Sequence, residues 1–124
     1  MSNKEIVLKF IEECFNRKNL SELELYMKEG YIQHNPTVAQ GRAGFADFAQ
    51  NRFFAAFPEL KLIVKHCYED GNNVICHNHA VLREGEIENI VFDVYRLEDG
   101  KLAEHWDCIQ RLGPEQLVDA GAFF

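Results

Sequence analysis

The stretch "AEHWDCIQ", residues 103–110, sets two ionisable side chains, His105 and Asp107, one residue apart in an otherwise strand-like run. Side chains alternate between the faces of a strand, so His105, Asp107 and Ile109 share one side while Glu104, Trp106 and Cys108 share the other. Burying two such groups is costly unless they are paired or hydrogen-bonded, so they form either a satisfied structural couple or part of a site. A carboxylate held in an apolar pocket is a stronger base than one in water, the more so beside a second carboxylate. Asp107 is thereby a candidate to remove a proton alpha to a carbonyl. His105, His34 or His79 would hydrogen-bond the enolate oxygen that develops.

Other chemistry-bearing residues cluster along the chain. His77 and His79 alternate in "CHNHAVL". With His66 across a hairpin they make a pattern shared by metal-chelating imidazoles and by histidines hydrogen-bonded in a polar pocket; no metal is assigned, and all three are taken as ligand-binding. In "QHNP", His34 and Asn35 sit at a break before Pro36, a place suited either to a cavity mouth or to ordinary turn chemistry. Tyr31 and Tyr95 read as core or rim aromatics, and Tyr95 is counted among the ligand contacts. The cysteines, Cys14, Cys67, Cys76 and Cys108, form no CxxC pair and no zinc-ligand spacing, so free thiols are expected.

Helices must come first. Ile6, Val7, Phe10, Ile11, Cys14 and Phe15 repeat at helical spacing behind a Ser2/Glu5 capping box. Ser21 and Glu24 suggest a second box, with a Leu20/Leu25 staple and Gly30 as a left-handed stop near residue 29. After an extended piece at "YIQHNPTVAQG", a Phe-rich third helix is predicted from Arg42 to Ala56, ended by Pro58. From Leu60 the pattern changes to four strands, 60–69, 74–82, 88–97 and 101–110, at the spacing of an antiparallel meander. Helices followed by a sheet within one 124-residue domain predict an α+β architecture.

Two hairpins decide which side chains meet. A two-residue turn at Gly71 and Asn72 pairs His66 with His77 and Val64 with His79, and puts Leu62, Val64, His66, Tyr68, Ile75, His77, His79 and Val81 on one face, read as the inner one. The last hairpin has two readings. A three-residue "EDG" loop pairs Leu97 with Lys101 and brings Asp93 to the face of His105 and Asp107. A two-residue Asp99–Gly100 turn puts Asp93 beside Trp106 instead. The first is preferred because it collects the ionisable groups and leaves Ile90, Phe92, Val94, Leu102 and Trp106 as an apolar outer patch, the expected surface of a homodimer.

Thirteen basic against twenty acidic residues give a net charge of −7, which argues against a nucleic-acid partner. "MSNKEIVLKF" lacks the apolar core of a signal peptide, and no apolar run nears the roughly 20 residues that span a bilayer. No membrane partner and a cytoplasmic location are expected. Phe123 and Phe124 are left open between a cap on the cavity, a cap on a neighbouring subunit and a frayed tail.

Taken together, "FDVYRLEDGKLAEHWDCIQ", "CHNHAVL" and "YIQHNPTVAQG" resemble the SnoaL-like polyketide cyclase family of the nuclear-transport-factor-2-like superfamily. The resemblance runs over nearly the whole chain to the "GAFF" ending, and its most specific part is "EHWD" preceded by "EDGK". It implies a cone-shaped barrel, a curved antiparallel sheet packed on three N-terminal helices, with a deep apolar pocket in its mouth. It also implies ring closure by intramolecular aldol condensation without metal or organic cofactor, with Asp107 at the position of the acid/base aspartate. The family's pocket histidine on the preceding strand is matched here by Asp93, a departure that bears on the substrate. A cofactor-independent cyclase, isomerase or lyase acting on a small hydrophobic carbonyl compound is therefore expected, through Asp107, His105 and Asp93. A non-catalytic binder of such ligands, or a hydrolase activating water through the same aspartates, remains open.

Overall fold

The capping box at Ser2 starts the fold: Ser2 Oγ accepts from the Glu5 backbone N–H at 3.1 Å, and the Glu5 carboxylate reaches back to Ser2. The structure is a computed structural model describing residues 1–124. Helix α1, Asn3–Phe10, runs on into a wider π-helical stretch, Ile11–Asn16. Together they bury the stripe of Ile6, Val7, Phe10, Ile11 and Cys14. At its end the Asn16 side chain exchanges two hydrogen bonds with the backbone of Leu62, pinning helix to sheet.

The second predicted helix shrinks to one turn, α2, Leu23–Tyr26. Ser21 does not cap it. Its hydroxyl and its N–H both bond Asn19 Oδ1, a local turn that takes the side chain away from the helix, and Leu25 is 57% exposed rather than stapled. Gly30 is no stop either: Met27–Gln33 is a strand, β1, that buries Met27, Tyr31 and Gln33. The long-range gain of an alternating buried face outweighs weak helical propensity over so short a segment. The third helix matches its prediction closely, as α3, Gly41–Phe48, a π-helical Ala49–Phe53 and a final turn α4, Phe54–Ala56.

Four strands follow, β2, Lys61–Asp70, β3, Asn73–Arg83, β4, Ile87–Glu98, and β5, Lys101–Leu112, then a 3₁₀ segment, Leu117–Phe123. The sheet order is β1-β5-β4-β3-β2. The meander is antiparallel as expected, but β1 adds a fifth strand parallel to β5, pairing Gln33 with His105. Helices and sheet enclose the core: the Phe10 ring alone meets Phe15, Tyr26, Phe45 and Tyr95 at centroid distances of 5.6–6.2 Å. Each such fully buried side chain contributes about 1.5–3 kcal/mol.

Two bulges correct the expected registers. The Gly71–Asn72 turn pairs Asp70 with Asn73 and His66 with His77 as predicted, but Lys65 bulges out, so Val64 lies opposite Asn78 and not His79. Leu62 and Val64 face inward as expected, but on β3, and on β2 beyond the bulge, the inner face is the opposite one from that expected. Val74, Cys76, Asn78 and Ala80 point inward, while Ile75, His77, His79 and Val81 point out. In the last hairpin the turn is the two-residue Asp99–Gly100, with φ of 52° and 75°, and not the three-residue loop. Ala103 then inserts an extra residue, so Leu97 pairs with Leu102 but Arg96 with Glu104. That insertion returns Asp107 opposite Asp93. Leu102 is buried and leaves the predicted outer patch.

Candidate functional site

Neighbouring strands present a row of polar side chains on the inner face: Gln33 from β1, His105 and Asp107 from β5, Asp93 from β4 and Asn78 from β3. Hydrogen bonds run along the row. Gln33 Oε1 lies 2.8 Å from His105 Nδ1, His105 Nε2 lies 2.8 Å from Asp93 Oδ1, and Asn78 Nδ2 donates to Asp93 Oδ2 at 2.7 Å. Asn78 is fully buried, and Asp93 and His105 are 5% and 6% exposed. The Asn35 N–H also donates to Gln33 Oε1, at 3.1 Å, which identifies that atom as the oxygen. Both nitrogens of His105 therefore lie within hydrogen-bond distance of side-chain oxygens, Gln33 on one side and Asp93 on the other.

Asp107 stands next to this pair and is held differently. Its carboxylate accepts from Asn35 Nδ2 at 3.0 and 3.3 Å and lies 3.9 Å from His105 Nε2. Asn35 is itself positioned, since its Oδ1 accepts from the N–H and hydroxyl of Thr37. The turn chemistry and the cavity role proposed for "QHNP" thus coexist in one residue. Gln40 clamps the segment by bonding both backbone groups of Gln33.

The rings of Tyr95 and Tyr31 flank His105, with centroids at 4.7 and 6.4 Å. Burial, and then the Asp93 carboxylate, push both phenols above their ordinary range, so each stays protonated. Around this polar end lies a cavity of about 190 Å³. Phe10, Phe15, Phe45, Phe48 and Phe53 from the helices and Leu62, Ala80 and Val91 from the sheet form its apolar walls, and Thr37 and Ile109 lie exposed among its lining.

Of the predicted site residues, Asp93, His105, Asp107, Asn35 and Tyr95 line this cavity. His34 does not. It stacks on Trp106 at 4.7 Å on the outer face and bonds Glu104, whose carboxyl His34 and Arg96 hold below its usual range. His66, His77 and His79 are likewise outside the cavity. His66 Nε2 bonds Phe124 O and His79 Nε2 bonds Glu88, while the Phe124 ring stacks on His79 at 4.5 Å. Lys61, Lys65, Glu69 and Asn78 make the other face the more polar one in the sequence, which is why it reads as the outer face. In the structure Asn78 Nδ2 donates to Asp93, and the small Cys76 and Ala80 on its face fit beneath the helices. Phe124 covers imidazoles on the outer face and not the cavity mouth.

Gln33 and Asn78 were not singled out from sequence. The signal for Gln33 was present: if Tyr31 faces inward on a strand, so does the residue two further on.

Asp93, His105 and Asp107 offer ligand atoms within 4.8 Å of one another, a grouping with the donor types of a metal centre. As arranged, however, both His105 nitrogens are engaged by side-chain oxygens, Nδ1 by Gln33 Oε1 and Nε2 by Asp93 Oδ1, each at 2.8 Å.

The family model for SnoaL-like polyketide cyclase matches residues 5–117. Comparison with curated protein sequences gives no match. Among solved structures, TsrD from Streptomyces laurentii is 21% identical with a TM-score of 0.72, over 94% of this chain and 93% of that one. IdmH from Streptomyces antibioticus is 17% identical with a TM-score of 0.76, covering 98% and 99%. A SnoaL-like polyketide cyclase from Agrobacterium tumefaciens is 14% identical with a TM-score of 0.76, covering 95% and 98%. At these identities the structures bear on the fold alone. No helix of this chain is long and apolar enough to cross a membrane.

Proposed function

This chain belongs to the SnoaL-like polyketide cyclase family, and from that premise we propose that it is a cofactor-independent acid/base enzyme acting on a small hydrophobic carbonyl compound. One observation carries the reading. The Asp107 carboxylate stands at the polar end of an otherwise apolar cavity, oriented by Asn35 and adjacent to the Asp93–His105 pair.

In this reading Asp107 takes a proton alpha to the substrate carbonyl. The C–H electron pair moves toward the carbonyl and leaves negative charge on its oxygen. Hydrogen-bond donors already in place lower the barrier to that charge, and the Tyr31 and Tyr95 phenols, both held protonated, line the same cavity. Asp93 acts through His105, fixing the ring in place beside the base. Return of the proton at another carbon is isomerisation, loss of a leaving group is elimination, and attack of the enolate on a second carbonyl of the same molecule closes a ring. The reading extends to a homodimer formed through the outer sheet face around Phe92 and Trp106. It also extends to a cytoplasmic location, with which the free thiols of Cys14, Cys67, Cys76 and Cys108 accord.

The test is deuterium exchange at the carbon alpha to the carbonyl of 4-phenylbutan-2-one, followed by proton NMR in heavy water. Wild-type protein is expected to catalyse exchange, and Asp107→Asn to lower the rate at least about 100-fold while keeping affinity for the ketone. Ketone bound by the wild type without exchange would make the protein a binder, and equal exchange by Asp107→Asn would remove Asp107 as base.

A further inference from the structure

The volume and charge of the cavity narrow the substrate class, an inference that rests on the acid/base reading for where the carbonyl goes. An apolar cavity of about 150 Å³ holds a single benzene ring. At about 190 Å³, this one adds room for a carbonyl and a short chain, not for a row of fused rings. Its walls do not part easily, because they are aromatic rings packed on one another. Phe45 meets Phe10 at 6.0 Å and Phe15 at 5.9 Å, and Phe48 stacks on Phe53 at 5.6 Å. Interiors packed in this way resist expansion, since any gap forfeits contacts on both sides.

Charge acts in the same direction. No Lys or Arg lines the cavity, which holds two carboxylates and one imidazole. Both nitrogens of the imidazole are engaged, by Gln33 and Asp93, so it offers no free donor to an anionic ligand. A carboxylate brought in would face Asp107 in apolar surroundings, where like charges repel far more strongly than in water.

We infer that the site takes an uncharged, single-ring carbonyl compound with its carbonyl at the Asp107 end, and excludes both carboxylates and extended polycyclic ligands. This sets the chain apart from any relative that folds a long polyketide into several fused rings. Phe48, on the last turn of α3 and only half-buried, is the wall residue whose removal enlarges the cavity at least cost to the core.

Isothermal titration calorimetry on the whole chain tests this with three probes. They are 4-phenylbutan-2-one, its near-isostere 3-phenylpropanoate and the three-ring 2-acetylanthracene. In the wild type the one-ring ketone is expected to bind at least tenfold more tightly than either other probe. In Asp107→Asn the margin over the three-ring ketone is expected to persist and the margin over the carboxylate to shrink. In Phe48→Ala the three-ring ketone is expected to gain at least tenfold. Equal or tighter wild-type binding of the carboxylate or of the anthracene ketone overturns the inference, as does no detectable binding of the one-ring ketone up to its solubility limit. Failure of the acid/base reading looks different: the size and charge preference persists, but no alpha deuterium exchange accompanies it.

Discussion

Asn78 ties the stability of the core to the candidate site. Its side chain is fully buried, its Nδ2 donates to Asp93 at 2.7 Å, and its Oδ1 has no partner. Leaving a buried carboxylate short of a donor costs about 1.5–3 kcal/mol, while removing the unpartnered oxygen recovers part of that. Asn78→Leu, which keeps the branching at Cγ but not the hydrogen bond, is therefore expected to lower unfolding stability by about 1–2 kcal/mol. Urea denaturation measures it, and an unchanged midpoint would mean that Asp93 does not depend on this bond. At this scale the sequence was legible where types alone suffice: Asp107, His105 and Asp93 stand out because ionisable groups on an apolar strand demand a reason. Gln33 and Asn78 were overlooked because neutral amides carry no such warning, and whether an amide is buried depends on what lies opposite it.

At the scale of elements, the last hairpin positions the site through two local irregularities that cancel one another. The two-residue turn at Asp99–Gly100 would by itself send Asp93 and His105 to opposite faces, and the extra residue at Ala103 brings them back to one. The expected grouping of Asp93, His105 and Asp107 was therefore reached through a loop that the protein does not use. Gly100 sits at φ 75°, and a Cβ there would meet only Ile6 Cδ1 at an ordinary 3.7 Å. The penalty of Gly100→Ala is thus conformational and not steric, about 1–2 kcal/mol of stability with the site intact. Thermal or urea unfolding together with alpha exchange checks both halves; a lost site at unchanged stability would contradict it. The long helices were readable from their periodicity and from the Ser2 cap. The segment 20–30 was misread because its capping motif is a local signal, overruled by the pairing of β1 with β5.

For the whole molecule, the outer sheet face matters most. Phe92 and Trp106 are 45% and 38% exposed there, with His34 stacked flat on Trp106. Apolar patches of this kind mark contact surfaces more often than open water. Light scattering at micromolar concentration is expected to give twice the 14.4 kDa chain mass, and Trp106→Glu to give the monomer. A wild-type mass of one chain would refute the dimer. The 3₁₀ segment Leu117–Phe123 ends with Phe124 against His77 and His79, so part of the same face is already covered. The surface expected to form a dimer is accordingly the β4–β5 side.

Composition, periodicity and alternation are properties of near neighbours along the chain, and from them follow the α+β class, the spans of the four meander strands, two of the three helices and the pairing of His105 with Asp107 on one face. Which face of β3 turns inward is a different kind of property. It depends on a bulge at Lys65, a parallel strand joined to β5 from more than sixty residues away, and a buried amide satisfied across strands. Those terms exist only once distant segments are packed together, because a one-residue shift costs little locally and reverses every side chain beyond it. The tertiary structure alone therefore decided that His66, His77 and His79 stand outside while Gln33 and Asn78 complete the site.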